Sequence, residues 1–348
     1  MDMMSQVYGG VDTHLDTHTA TVVTPIGQVL GTRQFPATGD GYTALSDWAA
    51  SFGTVAAFGV EGTGSYGSGL ARHLTTSGYD VRELTRPNRQ HRRRYGKSDP
   101  ADAVAAARAV AAGTATGTPR CLDGPVEAAR NLKVARDAAV KARTQIVNQI
   151  RALIVTAPEP LRRRLHGQPI RGVAVTVTET LATYPEPDLT RPEVAALTAL
   201  AALTGIWATL GNHVRQLTNQ LSVPVTAAAP PAFLDQPGVG IVVAADLLIC
   251  AGENPHRFRS EAAFAAACGV SPVDASSGRQ QRHRLNRGGD RDANAALYRI
   301  VIVRLRYHQP TRDYMTSHLA QGKTKREIIR NLKRYIARDI HHILTRPH

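Results

Sequence analysis

The apolar pattern predicts an α/β amino-terminal domain, a long helical middle and a mostly helical carboxy-terminal region. Three observations predict it. Short Val- and Thr-rich segments separated by turn residues fill the first 35 positions. Helix-period and strand-length apolar stretches then alternate to about residue 112. Beyond Pro125, apolar residues recur at three- and four-residue steps over long runs. The chain has 348 residues, 43% of them hydrophobic and 20% charged, which suits packed domains and argues against a disordered chain.

Residues 7–13, 18–24 and 28–35 read as three strands of a meander. A helix over 41–51 would place Leu45, Trp48 and Ala49 on one face. Val55–Val60, bounded by glycine, reads as a buried central strand. A helix over Ser68–Thr76, a strand over Tyr79–Leu84 and an alanine-rich helix over Pro100–Ala112 complete the domain. The order β-β-β-α-β-α-β-α matches a ribonuclease-H-like fold better than a dinucleotide-binding one, which would alternate from its first strand.

From Pro125 to about Thr156, Leu132, Ala135, Ala139, Ala142, Ile146, Ile150 and Leu153 keep near-heptad spacing. From Glu193 to Leu221, Leu200, Leu203, Ile206, Leu210, Val214, Leu217 and Leu221 do the same. Such spacing fits a coiled coil, within one chain or between subunits, and also two helices packed on their own domain. Pro158–Pro192, with the basic run Arg162–Arg164, reads as a loop or a small subdomain, and Ala227–Pro231 as a linker. Pro237-Gly238-Val239-Gly240 before apolar Ile241–Ile249 fits a turn whose backbone N–H groups meet a phosphate, or an ordinary turn before a buried helix. Helices follow over Ser260–Cys268, Arg291–Arg306 and Lys325–Leu344. Three consecutive domains are expected, at 1–120, 121–226 and 227–348.

The net charge of +14 is uneven: −5 over residues 1–80, +8 over 81–250 and +11 over 251–348. A basic bulk suits a polyanionic partner, because Lys and Arg gain by displacing counterions from phosphates. Arg92, Arg93 and Arg94 form the densest early cluster. The three cysteines have neither metal-site spacing nor an even count, against a disulfide scaffold or zinc finger. No uninterrupted apolar run reaches bilayer-spanning length, Ala195–Leu210 coming closest, and no secretory signal pattern opens the chain. A cytoplasmic protein with no membrane partner is expected.

Asp12 ends the first strand beside Gly9-Gly10, and Glu61 ends the buried strand before the glycine-rich turn GTGSYG. Asp99 and Asp102, in KSDPADA, share one face at a helix start, with Pro100 suited to the first turn. Four carboxylates converging from two strand ends and one helix would repel unless a cation joins them, and Mg²⁺ is the natural partner. Singly, Asp99 could be a helix N-cap and Asp12 a turn cap. Gly-Val-Asp-Thr-His also fits actin-like ATPases and sugar kinases, whose phosphate loops carry more glycine after the first aspartate than Thr13-His14-Leu15 does. Farther on, Ser276 and Ser277 precede Gly278 and a loop dense in Arg279, Arg282, Arg284, Arg287 and Arg291. Serine beside guanidinium groups could attack a phosphodiester; Ser-Ser-Gly alone reads as a turn.

The blocks GVDTH, GVEGTGSYG and KSDPADAVAAARA, joined across a helical middle to AFAAACGVSPVDASSGRQQRHRLNRGGDRDANAALYR, resemble the transposases of the IS110 insertion-sequence family. The resemblance covers nearly the whole chain. It implies a RuvC-like domain whose DEDD tetrad is Asp12, Glu61, Asp99 and Asp102. It also implies a carboxy-terminal domain whose catalytic serine is Ser277, with Ser276 the alternative. Family members often carry a Ser-Lys pair shortly after that serine; here the stretch is Leu285-Asn286-Arg287-Gly288-Gly289, which keeps positive charge through Arg287. The implied activity is recombination of donor and target DNA through a phosphoserine intermediate, guided by a noncoding bridge RNA. A dimer, assembling into a tetramer on synapsis, is expected. The alternative is a RuvC-like, Holliday-junction-type nuclease using metal-activated water, with the serine structural.

Overall fold

The computed structural model describes residues 6–84, 98–274, 283–284, 286 and 288–346. The amino-terminal part is a mixed α/β sheet built from β1 (Gln6–Thr13), β2 (Thr17–Val23), β3 (Val29–Pro36), β4 (Thr54–Glu61) and β5 (Val81–Leu84). Its strand order is β3-β2-β1-β4-β5. The first three strands are antiparallel neighbours, while β4 and β5 run parallel to β1. Helices α1 (Gly39–Ala50), α2 (Ser68–Thr76) and α3 (Asp99–Ala111) complete the order of elements that the apolar pattern predicts.

Strand alternation divides the sheet into two faces. Val7, Val11, Phe58 and Val60 face Leu45 and Ala49 of α1 and Leu70 and Leu74 of α2 in one apolar core. The positions between them, Gly10 and Gly59, face α3. A Cβ at Gly10 would overlap the backbone of Ala103 and Ala107, and one at Gly59 would come within 2.6 Å of Val110. The two glycines therefore let α3 lie directly on the central strands, with Ala103, Ala106 and Ala107 buried at the contact.

Beyond the sheet the chain is helical: α4 (Pro125–Thr156), α5 (Glu159–Leu165), α6 (Ile170–Leu181), α7 (Pro192–Ala228), α8 (Pro231–Leu234), α9 (Ile241–Ala251) and α10 (Glu261–Ala267). A two-residue hairpin pair, β6 (Val273–Asp274) with β7 (His283–Arg284), precedes α11 (Arg291–Tyr307), α12 (Gln309–Ala320) and α13 (Lys325–Thr345). Pro158–Pro192 holds two short helices, and the expected linker at Ala227–Pro231 shrinks to the two residues between α7 and α8. Helix α7 runs through Pro224, so the alanines after it extend the helix.

Contacts group the chain into two compact units that do not follow chain order. One comprises Met1–Gly124, Cys250–Asp290 and Arg334–His348; the other comprises Pro125–Ile249 and Arg291–Lys333. In the first, Arg257 ties the later segment to the sheet. Its guanidinium donates to the Thr118 carbonyl at 3.2 Å and lies 3.5 Å from the Glu83 carboxylate. It also donates to the Ala251 and Cys250 carbonyls. Asn254 donates to the Pro119 carbonyl and Glu253 accepts from the Gly124 amide. From α13, Arg334 pairs with Glu261 at 3.0 Å.

In the second unit α4 and α7 pack along each other, with Ile150, Ile154, Leu197 and Leu200 in a core shared with Leu161, Leu165, Val173 and Val177. Arg136 donates to the Thr218 hydroxyl, and the Arg143 guanidinium lies 4.4 Å from the Trp207 ring centre. Ile150, Leu200 and Leu221 of the near-heptad positions are buried, Leu203, Leu210 and Leu217 half-buried, and Ile206 is exposed. The interrupted apolar stretch at Ala195–Leu210 lies within α7, which by length and composition alone is long and apolar enough to cross a membrane; here it packs along α4. Its threonines do not break the apolar character: Thr198, Thr204 and Thr218 return their hydroxyls to carbonyls one turn earlier.

Candidate active site

Asp12 lies two residues beyond Gly10 on β1, and Glu61 two residues beyond Gly59 on β4. Alternation therefore places both on the face covered by α3, at neighbouring carboxyl ends of parallel strands. The two ends are tied by the Thr13 hydroxyl, which donates to the Glu61 carbonyl at 2.9 Å. Gly62 follows with a positive φ of 67°, turning the chain through residues 62–67 into α2. This end of an open α/β sheet is where such folds place ligands.

Helix α3 brings the other two carboxylates. Its N-cap is Ser98, with Asp99 and Asp102 in the first turn and Pro100 between them. Asp99 is thus the first helical residue, and the N-cap alternative for it does not hold. Carboxylates at a helix start also suit its positive dipole end. Asp12 and Asp102 are buried, Asp99 half-exposed. Burial raises the Asp12 carboxyl above its ordinary value; His14 opposes this, while Asp99 and Asp102 add to it. Both helix aspartates thus act on Asp12 through space, and Glu61 ends the adjoining strand.

His14, which the carboxylate pattern does not include, stands in the middle. Its Nε2 lies 3.2 Å from Asp12 Oδ2 and 3.2 Å from Asp99 Oδ1. One donor atom from each of Asp12, His14 and Asp99 falls within 4.8 Å of the others. Asp12 Oδ2 and His14 Nε2 are both buried atoms, and among the described residues neither has a well-aligned hydrogen bond. A buried carboxylate oxygen whose close neighbours are one imidazole nitrogen and other acids fits a divalent cation, which offsets the repulsion among the acids. The signal for His14 was present in Gly-Val-Asp-Thr-His, because residues two apart on extended chain share a face.

The remaining sites from the sequence are placed as follows. Gly238 has a φ of 86° and packs on α11, where an added Cβ would come within 3.2 Å of the Ile300 backbone. Gly240 opens α9, its carbonyl accepting from the Ala244 amide, and its Cα faces open space. Arg92, Arg93, Arg94, Ser276, Ser277, Arg279, Arg282 and Arg287 lie outside the described residues. Arg284 is described only as backbone, in β7. In sequence the serines fall between β6 and β7.

Comparison with known proteins covers both blocks. Residues 9–157 match a family model described as a transposase with a DEDD domain of the IS110 type. Residues 231–316 match a second model, described as the transposase IS116/IS110/IS902 family. A stretch of 105 residues is 30% identical to the Insertion element IS110 uncharacterized 43.6 kDa protein of Streptomyces coelicolor. That stretch is 30% of this chain and 26% of the relative, so about a quarter of the relative's length is matched.

Proposed function

Because the chain belongs to the IS110 family of transposases, we propose that it is a DNA-cutting and rejoining enzyme of an insertion sequence. In this reading Asp12, Glu61, Asp99 and Asp102 form the metal-binding tetrad of a RuvC-like domain, and Ser277 is the nucleophile. The observation that carries it is the convergence of Asp12, His14 and Asp99, one donor atom of each within 4.8 Å of the others, around the buried Asp12 carboxylate. Support also comes from the strand order, with a three-strand meander and two added parallel strands.

The Ser277 hydroxyl attacks the scissile phosphorus. The Oγ–P bond forms as the bond from phosphorus to the leaving sugar oxygen breaks; the hydroxyl proton passes to a base, and the leaving oxygen gains one. The link keeps the phosphodiester's energy, so a sugar hydroxyl from another strand reverses the step without ATP. Arg279, Arg282, Arg284 and Arg287 offset charge on the non-bridging oxygens. Mg²⁺, when bound, supplies a Lewis acid that offsets charge on the phosphate and leaving oxygens. Asp12, Glu61, Asp99 and Asp102 would hold it, Asp12 being already desolvated.

Arg92, Arg93 and Arg94, with the basic bulk beyond residue 80, meet nucleic-acid backbone, and Gly238 and Gly240 offer backbone N–H groups to a phosphate. Donor and target DNA are the substrates and a noncoding bridge RNA the guide. The α4–α7 pair forms the dimer contact, with a tetramer on synapsis, and the enzyme works in the cytoplasm. Mass spectrometry of a nuclease-digested reaction, stalled on a nicked substrate, tests this reading. A nucleotide on Ser277, lost in Ser277→Ala but not in Ser276→Ala, is expected. Free cleaved ends with no adduct would instead place the protein among RuvC-like nucleases that use metal-activated water.

A further inference from the structure

We propose that His14 is a direct ligand of the cation, making the centre a mixed imidazole–carboxylate site that accepts Mn²⁺ more readily than an all-carboxylate site would. The inference rests on the reading of the acids as a metal centre. It goes beyond that reading in naming a fifth donor and the ion selectivity it brings.

The geometry separates a ligand from an ordinary charge partner. His14 Nε2 is equally close to Asp12 Oδ2 and Asp99 Oδ1, at 3.2 Å each. A histidine serving only to neutralise the two acids would aim its N–H along one of those lines. Here both atoms are buried and, among the described residues, neither has a well-aligned hydrogen bond; what draws Nε2 and Asp12 Oδ2 together is close approach and charge. Their spacing is instead that of neighbouring ligands around one ion: bonds of about 2.1 Å at right angles place donor atoms about 3.0 Å apart. Asp12, only 7% exposed, has no water-facing route to satisfy that oxygen.

Chemistry then sets the preference. Mg²⁺ is hard, favours oxygen and keeps its waters, whereas imidazole suits first-row transition ions. A nitrogen donor beside carboxylates therefore shifts selectivity toward Mn²⁺ while leaving Mg²⁺ able to bind through the acids. The imidazole is held by the chain itself, two residues from Asp12, so it costs little to orient.

Pulsed electron paramagnetic resonance on the full-length chain, stripped of metal and loaded with Mn²⁺, tests this without reference to activity. The wild-type protein is expected to show the ¹⁴N coupling of a directly bonded imidazole. His14→Gln should still bind Mn²⁺ but lose the coupling, with Mn²⁺ affinity falling on the order of tenfold or more and Mg²⁺ affinity falling less. Bound Mn²⁺ with no ¹⁴N coupling in the wild type, and binding that Asp12→Asn abolishes, would overturn the His14 assignment and leave the carboxylate site standing. Coupling that survives in His14→Gln would also overturn it. Mn²⁺ binding indifferent to Asp12→Asn would remove the metal-centre reading itself. The wild-type spectrum decides the matter even where a variant fails to fold.

Discussion

Lys133 Nζ lies 2.7 Å from Asp246 Oδ1, two charged side chains meeting inside the helical unit. Asp246 interrupts the apolar stretch of α9 and is 2% exposed. Arg299 holds its other oxygen at 2.7 Å, and Asp137 pairs with Lys133 one turn along α4. Burial pushes the Asp246 carboxyl up, and the two cations pull it back. Removing one partner leaves the other with only part of its pairing, through Arg299 on Asp246 or Asp137 on Lys133, so Lys133→Ala or Asp246→Ala should each destabilise the protein by about 1–3 kcal/mol. Lys133→Met with Asp246→Leu should recover most of that loss in urea denaturation. A double variant no more stable than the worse single one would contradict the account.

The contact between Gly10 and α3 predicts loss of cation binding without loss of any ligand. Gly10→Ala forces α3 away from β1, carrying Asp99 and Asp102 with it, and should cost about 1–3 kcal/mol. Gly39→Ala, where an added Cβ meets open space, is the control. Mn²⁺ titration alongside thermal melting reads both effects. Retained affinity in Gly10→Ala would mean that α3 does not position the acids.

Acid should weaken the unit that contains the sheet through two buried histidines. His18 stacks on Tyr42 at 5.5 Å between ring centres, and His341 lies against Phe264. Burial holds both imidazoles below their ordinary value, outweighing the carbonyls of Thr17 and Phe258 beside them. The unfolded chain then takes up protons that the folded chain resists. Their contribution is complete above about pH 6.5 and is lost as pH falls through that value toward the folded one. Chemical denaturation from pH 8 to pH 5 should show the loss, with a shallower slope in His341→Gln. An unchanged slope in that variant would clear His341 of the effect.

The half-buried seam of α7 predicts the oligomer. Leu203 and Leu210 are partly covered within the chain, and Ile206 between them is 47% exposed. Leu203→Glu with Leu210→Glu should leave helicity intact, lower the mass seen by light scattering and stop recombination. A wild-type chain that stays monomeric with RNA and DNA present would show the seam to be internal only.

The sequence by itself determined the order of elements around the amino-terminal sheet and the strand and helix positions of the four acids. Those rest on period-two and period-3.6 patterns and on turn residues, which act over a few positions. It could not decide that Ser98, rather than Asp99, caps α3, because both residues suit that role and only the backbone conformation selects one. Nor could it join His14 to Asp99: the pair exists because Gly10 and Gly59 let α3 lie directly on the sheet. The interleaved units were likewise a tertiary outcome. Cys250–Asp290 groups with the sheet where the half-buried Arg257, far along the chain, finds the Thr118 carbonyl and the Glu83 carboxylate. Periodicity is a property of neighbours in the chain, whereas a guanidinium drawn out of water must find its acceptors wherever close packing brings them.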